Sequence, residues 1–409
     1  MTKGPATLRG TVDAAAAALD GGLRTIAGMH MAIARKPFAA LRLTPVVGTA
    51  AEPVRVVHDG VTALVYAGLS TGLALLAGAA RLAAAAAPIA DEPPAGSPAA
   101  LAVAALNGFA GDRLERDANP LAAGTTLRHR GRSVALRREA LAATYPAAAS
   151  RVAVFVHGLA CNEALWWRHA ERHYGDPGVS YGTRLERELG LTSLYVRYNT
   201  GLPIAENGRR LARLLDALVA EWPVPVEELV LVGHSMGGLV LRSAAHHAGE
   251  AAWTSRARHA FYLGSPHRGA PLEKAANAAA WALGLSDVTR PLAAALNARS
   301  RGVKDLRFGA LRDEDWMGAD VDALLDDRTA DLPLLAGANH YFIAATLTRD
   351  RAHPLGVAVG DLLVRSASAF GRPRHVEFPL AHASHFGAMS HLDLLNHPDV
   401  YEQIRRALS

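Results

Sequence analysis

Short apolar runs alternate with longer periodic segments in the part of the chain that follows residue 125. The runs have the length and composition of buried strands and lie at 152–156, 193–198, 229–232, 260–263, 341–346 and 376–378. Residues 127–138 predict an earlier edge hairpin. Apolar positions at helical spacing predict helices at 204–221, from Ser235 onward and near 400–408. This alternation indicates an α/β fold in which helices flank a mostly parallel sheet.

The first 125 residues follow a different pattern, since alanine and leucine dominate and strand-like runs are rare. We therefore predict a helical N-terminal accessory region at 1–125 and an α/β domain at 126–409. The proline-rich stretch DEPPAGSP at 91–98 indicates a linker. No internal repeat is visible in either part of the chain.

One stretch of the N-terminal region is unusual because Val61–Ala80 contains no charged residue and is about long enough to span a bilayer. Most of it is Ala, Gly, Thr and Ser. Gly68 and Gly72 have the small-residue spacing that suits close helix packing in water as well as in lipid. Three alternatives therefore stay open: a buried helix, which we favour, a helix in peripheral contact with a membrane or lipid surface, and a transmembrane span.

Composition and charge exclude several classes of protein. Of 409 residues, 50% are apolar and 20% are charged, which is typical of globular proteins and not of disordered ones. The 43 basic and 38 acidic residues are scattered, so the charge pattern predicts no nucleic-acid partner. A single cysteine, Cys161, cannot form an intrachain disulfide or a multi-cysteine metal site. We expect no cofactor and no metal, and a cytoplasmic location with membrane association as the alternative, because no secretory signal pattern opens the sequence.

The clearest chemical motif is G-x-S-x-G at 233–237. An apolar run at 229–232 leads directly into it and a helical pattern follows, which is the strand–turn–helix context of a nucleophile elbow. Gly233 and Gly237 would allow the backbone to pass close to neighbouring segments. We therefore predict Ser235 as the nucleophile, at the N-terminus of a helix whose free N–H groups favour developing negative charge.

A second motif, His157-Gly158-Leu159, ends the strand predicted at 152–156. It resembles the oxyanion loop of lipase-like hydrolases. This resemblance implies that the backbone N–H groups of Leu159 and Met236 bind the oxyanion of a tetrahedral intermediate. A plain turn at the end of a strand is the alternative, and we interpret Cys161 as a packing residue.

A serine nucleophile needs an acid and a histidine, which follow it in this order in the α/β-hydrolase chain. The acidic candidates are Asp287, the cluster at 320–331, Asp350 and Asp361. The cluster is dense and polar, so it predicts a solvated loop. We favour Asp361, which follows Gly360 and precedes an apolar run, with a helix cap as its alternative role.

The histidine candidates that follow Asp361 are His375, His382, His385, His391 and His397. We favour His391 as the general base, because it lies between the last predicted strand and the terminal helix. His385 is its rival, and His397 is interpreted as a helix-entry residue. Residues 272–338 interrupt the predicted sheet, and we expect them to form a helical cap over Ser235, with a helix pair that thickens the scaffold as the alternative.

Five phrases together resemble the α/β-hydrolase superfamily, and within it the branch that groups bacterial lipase-like proteins with the GPI inositol-deacylase (PGAP1-like) family. They are FVHGL at 155–159, VGHSMGGLV at 232–240, YLGSPHRGAPLE at 262–273, GDLLVRSASA at 360–369 and HLDLLNHPDVYEQI at 391–404. The resemblance covers about 126–409 and implies that Ser235, Asp361 and His391 are catalytic. Leu362 departs from the pattern, because the family often has glycine at that position.

These residues predict a serine hydrolase that cleaves carboxylic esters of lipid-like or acyl substrates through an acyl-enzyme. A thioesterase or a polyester (polyhydroxyalkanoate) depolymerase would use the same triad, so both stay alternatives. An alternative of another class is a non-catalytic hydrolase-like protein that binds lipid or polymer granules through its N-terminal region. The complete order of serine, aspartate and histidine favours the enzyme.

Overall fold

The computed structural model describes residues 45–85, 94–119, 121–284, 296–318, 329–350, 363–370 and 382–409, with shorter pieces between 19 and 43 and a few positions at 293, 320–322, 327, 353 and 360–361. The strands are β1 (Thr126–His129), β2 (Arg132–Val134), β3 (Arg151–Val156), β4 (Thr192–Arg197), β5 (Glu228–His234), β6 (Ala257–Leu263), β7 (Asn339–Thr346) and β8 (Ala383–Gly387). The predicted strand at 376–378 lies outside the described residues.

The helices comprise two long N-terminal ones and the helices that cover the sheet. They are α1 (Pro45–Ala85), α2 (Pro98–Arg116), α3 (Arg138–Thr144), α4 (Ala170–Tyr174), α5 (Tyr181–Leu189), α6 (Ile204–Glu221), α7 (Met236–His247), α8 (Pro271–Gly284), α9 (Arg301–Asp305), α10 (Ser366–Ala369) and α11 (Pro398–Leu408). Short 3₁₀ turns lie at Glu163–Trp167, Ala252–Ser255, Asp313–Trp316 and Asp393–Leu395.

The eight strands form one sheet in the order β2-β1-β4-β3-β5-β6-β7-β8. The strands from β3 to β8 are parallel, whereas β1 is antiparallel to both of its neighbours. The inner strands are almost continuously buried, which explains why they read as uninterrupted apolar runs. The chain leaves β3 toward one edge of the sheet and returns at β5 toward the other. Parallel sheets bind ligands at such a switch point, outside the carboxyl ends of the strands.

The contacts divide the chain into two compact units, residues 1–93 and 94–409. The boundary expected at 125/126 therefore lies inside the second unit. The reason is that α2 packs with the sheet and so belongs to the second unit. For example, the Asn199 side chain, which follows β4, donates to the Gly111 carbonyl of α2 at 2.9 Å.

Within the first unit, α1 packs against helical pieces of residues 19–41. The side chains of His30 and Tyr66 meet at 3.1 Å, and Ser70 donates to Asp20 at 3.0 Å. In the described part of the chain, Ala51–Ala80 is the one helical stretch long and apolar enough to cross a membrane, and almost none of its most apolar segment is buried. Within the first unit this helix is therefore largely exposed, whereas the sequence favoured a buried helix.

The insertion between β6 and β7 has two described parts of different character. α8 carries Leu272 and Trp281, which are 40% and 50% exposed. The part around 300–316 packs on the scaffold, where the Ser243 hydroxyl of α7 donates to the Leu311 carbonyl at 2.6 Å. This second part thickens the scaffold, which was the alternative to a cap.

Candidate active site

Ser235 lies on a strained turn between β5 and α7, with φ +54° and ψ −124°. The turn fits only because its neighbours lack side chains. A Cβ on Gly233 would lie 2.6 Å from the Gly238 nitrogen, and one on Gly237 would lie 2.2 Å from the Val156 carbonyl oxygen. The two glycines of the motif therefore have the steric role that the sequence assigns to them, and the serine is presented at the carboxyl end of β5.

Asp361 and His391 form a buried pair at the same edge of the sheet. The Oδ2 of Asp361 lies 2.7 Å from the Nδ1 of His391, and neither side chain is more than 4% exposed. The Oδ1 of Asp361 accepts the backbone N–H groups of Leu363 and Val364 at 3.0 and 2.8 Å. Both carboxylate oxygens are thus occupied, and the imidazole is held with Nδ1 as its donor.

The opposite nitrogen of His391 is available for chemistry. Its Nε2 is buried and has no hydrogen-bond partner among the residues that the structure describes. Next to it lies His234, whose ring centroid is 4.7 Å from that of His391 and whose Nε2 donates to the His391 carbonyl at 3.0 Å. Because His234 immediately precedes Ser235, this contact brings His391 beside the predicted nucleophile.

The Ser235 hydroxyl does not donate a hydrogen bond to the Nε2 of His391 in this structure. In hydrolases without a bound substrate this bond is often long or poorly aligned. Burial lowers the pKa of His234 well below its usual value, and the neighbouring His391 adds to the effect. His234 is therefore a neutral donor that holds the His391 backbone.

The segments that carry the two predicted oxyanion donors lie next to Ser235. The loop after β3 passes close to it, because a Cβ on Gly158 would lie 3.0 Å from the Ser235 Cβ. Neither the Leu159 N–H nor the Met236 N–H has a hydrogen-bond partner among the described residues. Met236 is the first residue of α7, where an N–H group has no carbonyl one turn earlier.

The peptide that carries the Leu159 N–H is held through its carbonyl. The Gly158 oxygen accepts from His157 Nδ1 at 3.0 Å and from the Cys161 N–H at 3.3 Å. Because the C=O and N–H of a trans peptide point in opposite directions, the Leu159 N–H faces away from both groups. Burial lowers the pKa of His157 to about 4, so its imidazole is neutral at physiological pH.

The rival residues have other positions. His385 lies on β8, and its Nε2 is 2.9 Å from the Thr346 hydroxyl. His397 caps α11, where it accepts the Asp399 N–H at 3.2 Å. Asp287 and His375 lie outside the described residues. In the acidic segment, Asp322 pairs with Lys304 at 2.9 Å.

The single cysteine, Cys161, is part of the loop after β3. The Cys161 thiol donates to the Leu159 carbonyl at 3.2 Å, and desolvation raises its pKa to about 12, so no reactive thiolate is present. Among the residues that the structure describes, no group of three His, Cys, Asp or Glu side chains could hold a metal ion.

The contact between His234 and His391 was missed from the sequence, because it joins residues far apart in the chain.

Residues 207–303 match the family model described as the PGAP1-like alpha/beta domain. That range contains α6, β5, Ser235 and α7. Over these residues the chain carries a PGAP1-like alpha/beta domain. The family resemblance and the α/β-hydrolase fold with a helical N-terminal region, both predicted from the sequence, are thereby confirmed.

The chain is also similar, at low identity, to solved structures of bacterial proteins. The mature lipase BlEst2 of Bacillus licheniformis is 18% identical, with a TM-score of 0.41, and the match covers 63% of this chain and 92% of the lipase. The lin2722 product of Listeria innocua is 14% identical, with a TM-score of 0.34 and coverage of 62% and 92%.

Phospholipase PlaB of Legionella pneumophila is 14% identical, with a TM-score of 0.34, and the match covers 54% of this chain and 45% of the phospholipase. A comparison with curated proteins finds no match to this sequence.

Proposed function

We propose that this chain is a serine hydrolase that cleaves carboxylic esters of lipid-like or acyl substrates. One observation carries the proposal: the buried Asp361–His391 pair, with Oδ2 and Nδ1 2.7 Å apart, leaves the Nε2 of His391 unpartnered beside the strained turn of Ser235. What distinguishes this nitrogen is its position, because the opposite nitrogen of the ring is held by a buried carboxylate and the ring lies against His234, the residue before Ser235. A nitrogen in this position is useful where a serine proton must be accepted.

In the first half of the reaction, the Ser235 oxygen attacks the ester carbonyl carbon while His391 Nε2 takes the serine proton. The carbonyl π electrons move to oxygen, and the Leu159 and Met236 N–H groups stabilise the resulting oxyanion. The negative Asp361 stabilises the imidazolium. The tetrahedral intermediate then collapses, the bond to the alcohol oxygen breaks, and His391 returns the proton to the departing alcohol.

In the second half, water replaces the alcohol. His391 removes a proton from the water as its oxygen attacks the acyl-enzyme, and the same two N–H groups hold the second oxyanion. Collapse of this intermediate breaks the bond to the Ser235 oxygen, which recovers its proton from His391. The carboxylic acid leaves, and every residue returns to its starting state.

Apolar side chains beside Asp361 support an apolar acyl group. Leu347 and Leu363 are 42% and 37% exposed. Leu363 donates its N–H to Asp361, and Leu347 donates its N–H to the Gly360 carbonyl at 3.1 Å. Exposed leucines of this kind favour an acyl chain over a polar substrate.

The experiment that tests the proposal is a series of p-nitrophenyl esters from acetate to palmitate, with acyl-CoA as the thioester control. Wild type should hydrolyse the esters, and Ser235→Ala should lower kcat by at least about 10³-fold without unfolding. Equal activity in the variant would contradict the proposed nucleophile. A clear preference for acyl-CoA would contradict the proposed substrate class.

We also propose that the protein works at a cytoplasmic lipid surface, which it contacts peripherally through residues 61–80. The exposed side of α1 is apolar: Val54, Val57, Val61, Leu64 and Leu75 are between 45% and 62% exposed. The charges near its start pair with one another, with Arg55 bound to Glu52 and Asp59. Such a face can lie on lipid without desolvating a free charge.

A further inference from the structure

The loop that carries Leu159 touches α2, a helix that has no part in the chemistry described above. The closest approach is at Gly108. A Cβ on this residue would lie 2.8 Å from the Ala160 Cβ, 2.9 Å from its Cα and 3.1 Å from its nitrogen. Real Cβ atoms essentially never come within 3.0 Å of other heavy atoms, as this one would at the Ala160 Cβ and Cα, so a larger residue at 108 requires Ala160 to shift.

Ala160 is held in an unfavourable conformation. Its φ is +57°, in the left-handed region that an alanine adopts only under constraint. Its N–H donates to the Thr200 hydroxyl at 3.1 Å. Thr200 in the loop after β4 and Gly108 on α2 are therefore two of the contacts that fix Ala160.

The position of Ala160 matters because the residue directly follows Leu159. A change in the backbone at Ala160 rotates the peptide unit between Leu159 and Ala160. This rotation shifts the Leu159 Cα, to which the next peptide unit, the one with the Leu159 N–H, is joined. An oxyanion donor must lie about 3 Å from the developing charge, so a small rotation is enough to weaken it.

α2 is itself fixed at this point and cannot move away. The Ser300 hydroxyl donates to the Gly108 carbonyl at 2.6 Å. The Asn199 side chain donates to the Gly111 carbonyl at 2.9 Å, and the Arg301 N–H donates to Asp112 at 3.1 Å. These bonds tie α2 to two different segments of the hydrolase unit, so strain introduced at Gly108 passes to Ala160.

We propose that Gly108 and Thr200 are positioning residues for the oxyanion donor Leu159. Gly108 leaves room for the left-handed Ala160, and Thr200 holds its N–H. Together they set the direction of the Leu159 N–H. This inference rests on the proposed function and assigns part of the transition-state site to α2, a helix from the N-terminal region.

The test compares Gly108→Ala with wild type on a soluble p-nitrophenyl ester, with kcat expressed per serine titrated by a fluorophosphonate. The oxyanion is absent from the bound ester and forms only on the way to the tetrahedral intermediate, so kcat should fall by roughly 10- to 100-fold while KM changes little. The inhibition constant of a trifluoromethyl ketone, whose hemiketal oxygen occupies the oxyanion hole, should rise by a similar factor. A role in stability alone would lower Tm and leave these two constants unchanged.

Two companion variants control for packing. Gly124→Ala places its Cβ 3.8 Å from a single atom, the Thr126 Cγ2, and should keep wild-type constants. Ala160→Gly in the Gly108→Ala background removes the closest clash, and it should recover part of kcat and of the inhibitor affinity.

If Gly108→Ala does not fold, Thr200→Val carries the test, because it releases the Ala160 N–H without adding an atom. A reduced kcat with an unchanged KM supports the proposal. Folded variants with wild-type kcat and inhibitor affinity overturn it, while the proposed function stands if wild type is active and labelled at Ser235. A wild-type protein that hydrolyses no ester overturns the proposed function and this inference with it.

Discussion

The role of Asp361 is to hold the imidazole of His391 in one orientation and one tautomer. Its Oδ2 accepts from His391 Nδ1, and its Oδ1 accepts from the Leu363 and Val364 N–H groups. An asparagine would have to turn its NH₂ group toward one of these donors, which leaves either the backbone or the imidazole unsatisfied. If the imidazole changes tautomer, Nε2 carries a hydrogen and can no longer accept the serine proton.

Asp361→Asn should therefore lower kcat by about 10³- to 10⁴-fold. Steady-state kinetics on a soluble ester would measure this effect, with circular dichroism as the test of folding. Asp327→Asn, in the acidic segment that was the rival source of the acid, should leave kcat nearly unchanged. If Asp327→Asn had the much lower kcat and Asp361→Asn kept the wild-type value, the acid would have been assigned wrongly.

The same kind of comparison decides between His391 and His385 as the general base. His391→Ala should be nearly as damaging as Ser235→Ala, because triad residues act as a unit and their losses do not add. His385→Ala should retain most of the activity, since that side chain is engaged with Thr346 on the neighbouring strand. Parallel kcat measurements on both variants check this, and loss of activity only in His385→Ala would refute the choice of base.

Much of this site was predictable, because local motifs mark strand ends. The glycines around Ser235 and before Asp361 show where the chain turns, and the structure brings Asp361 and His391 together as the sequence predicts. The residues that hold the site in place from other parts of the chain were not predictable. His234 meets His391, and Gly108 meets Ala160, across long stretches of chain. A glycine inside an Ala-rich helix gives no local signal of what lies against it.

Among the elements, the 3₁₀ turn at Glu163–Trp167 fixes the far end of the loop that follows β3. Its Glu163 binds Arg197 of β4, with N–O distances of 2.5 and 2.7 Å, and lies 3.6 Å from Arg128 of β1. Burial alone would raise the pKa of Glu163, but the hydrogen bonds and charge of Arg197, with the charge of Arg128, outweigh burial and lower it. The charged form is therefore favoured in the folded protein.

Glu163→Gln should reduce the free energy of unfolding by about 3–5 kcal/mol at neutral pH, because it leaves buried arginines uncompensated. Urea unfolding of both proteins measures the difference. A lowered folded-state pKa stabilises the protein above the ordinary glutamate pKa, and this contribution is lost as pH falls through the folded value. The difference in the free energy of unfolding between wild type and Glu163→Gln should therefore become smaller in acid. A difference that grows in acid would contradict a lowered pKa of Glu163.

The strands that are buried on both faces were predicted correctly, and so was the hairpin at the β2 edge of the sheet, but β8 at the opposite edge was not. β3 and β5 are near-continuous apolar runs and coincide with their predictions. β8 is only partly buried and contains Ser384 and His385, so its sequence gave no strand signal. An edge strand is defined by the neighbour with which it pairs, here β7, and not by its own composition.

At the scale of the whole molecule, the division between the units determines which fragment can work. Residues 94–409 form one compact unit that includes α2. A fragment of 94–409 should keep the wild-type kcat on a soluble ester. A fragment of 126–409 lacks α2 and with it the contacts at Gly108 and Gly111, so it should lose activity or fail to fold. Equal kcat in both fragments would show that α2 is dispensable.

The first unit is expected to matter only at a lipid surface. Full-length protein should sediment with phosphatidylcholine vesicles, and Leu64→Glu, on the exposed face of α1, should abolish sedimentation without changing kcat on a soluble ester. A carbonate wash should release the wild-type protein from membranes. If only detergent releases it, Ala51–Ala80 spans the bilayer and the peripheral contact is wrong.

The most direct test of the central claim is to identify the residue that a fluorophosphonate modifies. The probe requires an activated serine and forms a stable phosphonyl ester with its oxygen. After labelling and proteolysis, mass spectrometry should find the adduct on Ser235 in wild type, no adduct in Ser235→Ala and strongly slowed labelling in His391→Ala. An adduct on another serine, or ester hydrolysis at the wild-type rate by protein that is not labelled, would contradict the account.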